Sequence, residues 1–169
     1  DKVTDVVPGG ETGHISTRNG VYFLKNRLSE DDYVIIHDAA RPIVYQDIID
    51  DLIEKAKANG NACSAVSCYE TVVLTENRTS GKEQIDRNRI VRVQTPQCYN
   101  YGLIKSLYEK ADKDNREDFV YANILAMNYG VEIYFSKGTN NNIKITTKDD
   151  IALFRALLYY INNAEGEEN

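Results

Sequence analysis

Between residues 33 and 42 the chain reads Tyr33-Val34-Ile35-Ile36-His37-Asp38-Ala39-Ala40-Arg41-Pro42. The first four residues are a short β-branched and aromatic run, preceded by the acidic cluster of residues 29–32 and followed by a charged turn, as expected of a buried parallel strand. Pro42 stops its continuation. In an open α/β sheet, ligands bind in the crevice beyond the carboxyl ends of the strands, and His37, Asp38 and Arg41 fall there. An Asp and an Arg three apart suit a divalent metal and a phosphate oxygen respectively. A salt-bridged loop is the other reading of the same residues, and the stretch alone leaves both open.

Working outward, residues 3–7 form a short strand candidate ended by Pro8-Gly9-Gly10, whose glycines let a backbone or ligand approach closely. Ser16 or Thr17 then caps a helix with Val21, Leu24 and Leu28 on one face. A phosphate or ribose at Gly9, Gly10 and the Ser16 hydroxyl is chemically sensible, and an ordinary strand-to-helix loop explains them equally well. His14 is expected on the exposed part of that loop.

Beyond Pro42, Ile48, Ile49, Leu52, Ile53 and Ala56 recur at helical spacing until Gly60, and residues 62–67 resume an apolar strand, which predicts a right-handed βαβ crossover. Residues 69–93 read as a β-hairpin arm: residues 69–75 and 90–93 are extended, and the polar stretch 76–84 has nothing apolar to bury at its tip. A mobile surface loop is the alternative. Pro96 is expected to end the strand that returns from the arm, leaving the Thr95 hydroxyl near its end.

Leu103, Ile104, Leu107 and Ala111 mark a helix, residues 119–129 a second one closed by Gly130, and residues 131–135 a strand. A polar Asn140-Asn141-Asn142 turn leads into residues 143–146. Thr147 caps a last helix with Ile151, Phe154 and Leu158 inward, before a frayed acidic tail over residues 162–169. The domain is expected to span residues 1–161.

Composition narrows the function. With 20 Lys+Arg against 26 Asp+Glu, the net charge of −6 argues against a broad nucleic-acid face while permitting a few local cations around a phosphate. Cys63, Cys68 and Cys98 form neither a disulfide framework nor a zinc pattern. No apolar run has the length of a membrane-spanning helix, and Asp1-Lys2-Val3-Thr4-Asp5 lacks signal-peptide character. The chain therefore reads as reduced, cytoplasmic and without a membrane partner.

Five segments in order, V-V-P-G-G-E-x4-S, H-D-A-A-R-P, I-D-R-N-R, T-P-Q and N-I-K-I-T-T-K-D-D, resemble the sugar-phosphate cytidylyltransferases, the group acting on 2-C-methyl-D-erythritol 4-phosphate or ribitol 5-phosphate. The resemblance runs from about Val6 to Leu158. It implies a Rossmann-like three-layer α/β nucleotidyltransferase sheet with a projecting β-arm, and transfer of CMP from CTP with release of pyrophosphate. It also implies that Gly9, Gly10, Ser16 and Ala39 contact the nucleotide, that Asp38 binds Mg²⁺, and that Arg41 and Lys144 act in catalysis. Thr71, Thr95 and Arg87, the last from a partner subunit's arm, would complete the polyol-phosphate site in a homodimer.

Two departures qualify this. The family's opening βα unit, with a glycine-rich L-x-x-G-x-G-x-R-M loop and a following lysine, is not among these residues. Those cations stabilise charge on the transferring phosphate, so their absence predicts very low activity and a piece of a longer protein, or one needing another chain to complete the sheet. An inactive dimerisation or binding module is therefore the second hypothesis. Further along, Val120 and Tyr121 stand where the family usually shows Thr-Asp. A metal-binding glycosyltransferase is the third reading, disfavoured because Asp38 is followed by Ala39-Ala40 instead of completing a D-x-D.

His37 is assigned a structural role, since a phosphate monoester is already an ionised nucleophile and needs no general base.

Overall fold

The computed structural model describes residues 2–164. Alternating apolar residues place side chains on both faces of a four-stranded sheet ordered β1-β5-β2-β6. Its strands are β1 (Tyr33–Ile36), β2 (Asn61–Ser67), β5 (Val91–Asn100) and β6 (Phe135–Lys137). Along β5 the alternation is plain: Cys98 points to a small core with Leu52, Ala56 and Ala62, while Tyr99 joins Ile104, Tyr108, Phe119 and Leu125 on the opposite face. The helix α2 (Gln46–Asn59) covers the first face, with Gly60 in the left-handed conformation at its end. The second face is covered by α1 (Gly13–Phe23), α3 (Tyr101–Lys113) and α4 (Ala122–Asn128). These are the three layers expected of a Rossmann-like domain.

Several local expectations need correction. The run Tyr33–Ile36 is antiparallel to its partner β5, Tyr33 facing Asn100 and Ile36 facing Gln97. β5 also pairs antiparallel with β2, so β1 and β2 are parallel to each other with β5 between them. Among the described residues β1 is paired on one side only, and Ile35 is 42% exposed, so the strand is half-buried where a buried one was expected. Pro96 does not end its strand. It lies inside β5 where the register slips between Cys63 and Ala65, a bulge at which the missing N–H breaks no ladder bond, and the Thr95-Pro96 peptide is cis.

The arm exists, but its returning strand is β4 (Glu83–Ile85), which pairs with β3 (Val72–Leu74); the residues from Val91 onward belong to the main sheet. Residues 3–7 are not a strand. In α1 the cap is Thr12, whose hydroxyl accepts the Ile15 N–H, instead of Ser16 or Thr17. The α4 helix begins at Ala122, three residues later than expected, and β6 lies beyond residues 131–134.

The last helix, α5 (Lys148–Ala164), leaves Ile151 and Leu158 exposed, contrary to the expected inward face, and it extends through the first residues of the anticipated frayed tail. Residues 165–169 of that tail lie outside the described residues. His14 is 1% exposed, inside α1 against Tyr108 and Phe119, not on a loop.

Candidate active site

The turn after β1 carries Asp38 and Arg41 because the Arg41 N–H donates to the Asp38 carbonyl at 2.9 Å, folding the short A-A segment back on itself. His37 braces the same turn by donating from Nε2 to the Arg41 carbonyl at 2.8 Å, which is the structural role assigned to it. The Asp38 N–H donates to Thr95 Oγ1 at 3.0 Å, tying the turn to β5.

The segment after β6 closes the site. Asn142 is buried, and its Nδ2 donates to the Thr95 carbonyl at 2.8 Å and to Gln94 Oε1 at 3.3 Å. Its carbonyl accepts from Arg41 Nη1 at 2.7 Å. Three residues on, the Ile145 N–H donates to the Ala40 carbonyl at 2.8 Å. Between these two fixed points the chain has little freedom, and Lys144 is delivered to Asp38 with Nζ 2.9 Å from Oδ2. Arg41 Nε lies 3.6 Å from the same oxygen and, though buried, has no hydrogen-bond partner among the described residues.

One carboxylate thus faces two cations beside a cleft of about 470 Å³ that Asp38 and Lys144 line. Thr12 and Gly13 at the start of α1, Thr95, Gln97, Glu117, Asp118 and Tyr121 also line it. The start of α1 offers unpaired backbone N–H groups and the positive end of a helix dipole to anything negative in the cleft. Glu117 is paired with Arg18 at 2.9 Å. Asp118 is bonded to Arg116, which holds its carboxyl below the usual carboxylate range.

Of the residues singled out in the sequence, the fold brings together Asp38, Arg41, Thr95 and Lys144, with Ala39 in the turn between the first two. Gly9, Gly10 and Ser16 form a second group. The Gly10 N–H donates to Ser16 Oγ at 2.9 Å, and that hydroxyl donates to the Thr12 carbonyl at 2.9 Å, so the serine pins the glycine loop onto α1. A side chain at Gly10 would collide with Ile15. Thr71 and Arg87 sit on the arm and do not line the cleft of their own chain; Arg87 donates to the Tyr69 carbonyl at 3.1 Å.

Sequence reasoning overlooked Thr12, Gln97 and the anchoring role of Asn142. Asn142 opened the N-I-K-I motif but carried no visible signal of burial within a polar Asn triplet.

No group of three or more His, Cys, Asp or Glu side chains among the described residues is arranged to hold a metal. A lone carboxylate at a phosphate site nevertheless suits Mg²⁺, which takes one or two carboxylates and draws its remaining ligands from water and substrate phosphates.

Comparison with known proteins places the whole chain. The family model described as IspD, 2-C-methyl-D-erythritol 4-phosphate cytidylyltransferase, matches residues 1–160. The chain is 38% identical to ribitol-5-phosphate cytidylyltransferase of Lacticaseibacillus paracasei, covering 93% of this chain and 68% of that protein. It is 36% identical to 2-C-methyl-D-erythritol 4-phosphate cytidylyltransferase of Clostridium novyi, covering 94% of this chain and 66% of the relative. The crystal structure of the Francisella tularensis 2-C-methyl-D-erythritol 4-phosphate cytidylyltransferase superposes with a TM-score of 0.78 at 31% identity, covering 88% of this chain and 69% of that one. The chain spans about two thirds of the length of these relatives. Five sequence motifs, the three-layer fold and these similarities converge: the chain belongs to the 2-C-methyl-D-erythritol 4-phosphate cytidylyltransferase family of nucleotidyltransferases.

Proposed function

We propose that this chain carries the acceptor half of a CTP-dependent cytidylyltransferase site for a polyol phosphate, either ribitol 5-phosphate or 2-C-methyl-D-erythritol 4-phosphate. The observation that carries the reading is the pairing of Lys144 and Arg41 around Asp38 beside the cleft. In the reaction an oxygen of the acceptor phosphate bonds to the α-phosphorus of CTP. The bond from that phosphorus to the bridging oxygen breaks, and pyrophosphate leaves with the electron pair.

Such chemistry needs positioning and charge neutralisation more than a covalent nucleophile. Arg41, with a planar fork and an unpaired Nε, suits bidentate contact with the acceptor phosphate, and Lys144 supplies a point charge beside it. Thr95 accepts from the Asp38 N–H and keeps its own hydroxyl proton for a substrate oxygen. Asp38 would hold Mg²⁺ together with phosphate oxygens, the ion offsetting their charge when bound. Gly9, Gly10, Ser16 and Ala39 would border the nucleotide.

Thr71 and Arg87 would serve the cleft of a second copy, with the arm crossing a homodimer. Exposed Tyr69, Val73, Leu74 and Val91 give the arm region an apolar surface that such a contact would cover. The three cysteines are free and buried, as suits a reducing cytoplasmic compartment. No helix among the described residues is long and apolar enough to cross a membrane.

The test is pyrophosphate release from CTP and Mg²⁺ with each polyol phosphate, alongside calorimetric binding of each acceptor to the chain. Saturable binding or turnover with one acceptor, abolished in Arg41→Ala, supports the reading. Neither binding nor turnover with any acceptor overturns it. For the arm, mixing Arg87→Ala with Lys144→Ala protein should restore activity through one intact composite site; no restoration would refute the crossing.

A further inference from the structure

The cleft has a second lobe. Besides the one bounded by Thr12, Thr17, Glu117 and Asp118, a lobe of about 310 Å³ is lined by Arg41, Val93, Asn123, Ile124 and Met127. Asp38, Thr95, Gln97 and Lys144 line both, and the remaining residue common to both is Tyr121. Tyr121 precedes the first turn of α4 with an extended backbone, φ −137° and ψ 157°. Its carbonyl accepts the Leu125 N–H at 3.0 Å, which fixes where the side chain departs from the helix. The ring is 46% exposed, lies 5.5 Å from Lys144 Nζ, and its hydroxyl has no partner among the described residues.

We propose that Tyr121 is the acceptor-selecting residue of this site: its ring partitions the cleft and holds the Lys144 ammonium, so that the shape of the polyol chain running from the phosphate is read against the ring. The inference rests on the polyol-phosphate reading above. The shared lining is polar and already committed to the phosphate end through Lys144, with Arg41 beside it, so the acceptors must be told apart where the lobes diverge. There one wall is carboxylate-rich, with Glu117 and Asp118, and the other is apolar, with Val93, Ile124 and Met127. Ribitol 5-phosphate carries a five-carbon unbranched polyol, and 2-C-methyl-D-erythritol 4-phosphate a four-carbon one with a methyl branch and one hydroxyl fewer. A partition between a polar and an apolar wall can discriminate that difference by roughly ten- to two-hundredfold. An aromatic face over the lysine also restrains the ammonium through its quadrupole without competing for its hydrogen bonds.

The experiment measures kcat/KM for ribitol 5-phosphate and for 2-C-methyl-D-erythritol 4-phosphate, with KM for CTP, in the unmodified chain, Tyr121→Phe and Tyr121→Ala. Equilibrium binding of both acceptors provides a readout independent of turnover, and circular dichroism melts verify folding. The expected result is that Tyr121→Ala changes the ratio of the two acceptor specificities by about tenfold or more. KM for CTP should stay within about twofold, and Tyr121→Phe, which keeps the ring, should retain the original ratio. An unchanged ratio in folded Tyr121→Ala, with the unmodified chain binding or turning over an acceptor, overturns this inference alone. Failure of the unmodified chain to bind or turn over either acceptor overturns the underlying reading and this one with it.

Discussion

Lys144 Nζ and Asp38 Oδ2 lie 2.9 Å apart, although one residue follows the last strand of the sheet and the other follows the first. The pair exists because Asn142 and Ile145 are each bonded to other parts of the site, leaving Lys144 to project between them. Both side chains remain partly open to solvent, at 32% and 27% exposure, so the pair contributes little to stability and is free to exchange partners with a phosphate.

Loss of either charge should therefore act on activity and leave folding nearly intact. Asp38→Ala and Lys144→Ala are each expected to lower kcat/KM by about 10²- to 10³-fold, the range seen when one preorganised electrostatic contact is removed. Lys144→Arg keeps the charge but changes its shape and reach, and should recover only part of the loss. Steady-state pyrophosphate release checks all three, with chemical denaturation as the folding control.

Asn142→Ala should do the reverse and cost stability first. It strips hydrogen bonds from the Thr95 carbonyl and Gln94 in a buried setting, for an expected loss of about 1–3 kcal/mol. Urea unfolding measures that loss. Because the same residue positions Lys144, KM for the acceptor should rise in the folded fraction.

His14 makes stability depend on acidity. Burial among aromatic rings, helped by the nearby Arg18 cation, lowers its pKa below the ordinary histidine value, and neither ring nitrogen has a hydrogen-bond partner among the described residues. A depressed folded value means that the unfolded chain binds the proton more readily. The stability is thus fully present above the unfolded pKa of about 6.5 and is lost as pH falls below it. Thermal melts at about pH 7.5 and about pH 5.5 should show a fall in Tm that shrinks in His14→Phe.

Leu52→Ala tests the thinner of the two cores. Leu52 is fully buried under α2 with Ala56, Ala62 and Cys98, and little nearby can collapse into the space it leaves. The expected cost is about 2–5 kcal/mol, read from the shift in denaturant midpoint.

What the sequence by itself determined was local or chemical. The strand over residues 62–67, the helical spacing of Ile48, Leu52 and Ala56 ending at Gly60, and the apolar face of α3 follow from side-chain pattern, which a one-dimensional sequence records. Asp38 and Arg41 were legible as candidate chemistry because charged residues at the end of an apolar run are conspicuous, whereas Lys144 stood out only through the family resemblance. Tertiary structure decided the rest. Pro96 sits within a strand because β5 itself bulges there opposite Ser64 and excuses its missing N–H, and His14 is buried because α3 and residues preceding α4 close over α1. The direction of β1 was likewise unreadable, since a short apolar run looks the same beside a parallel or an antiparallel neighbour. Only the folded chain could reveal that Asn142 is an anchor and Tyr121 a partition, because both roles consist of contacts with residues distant in sequence.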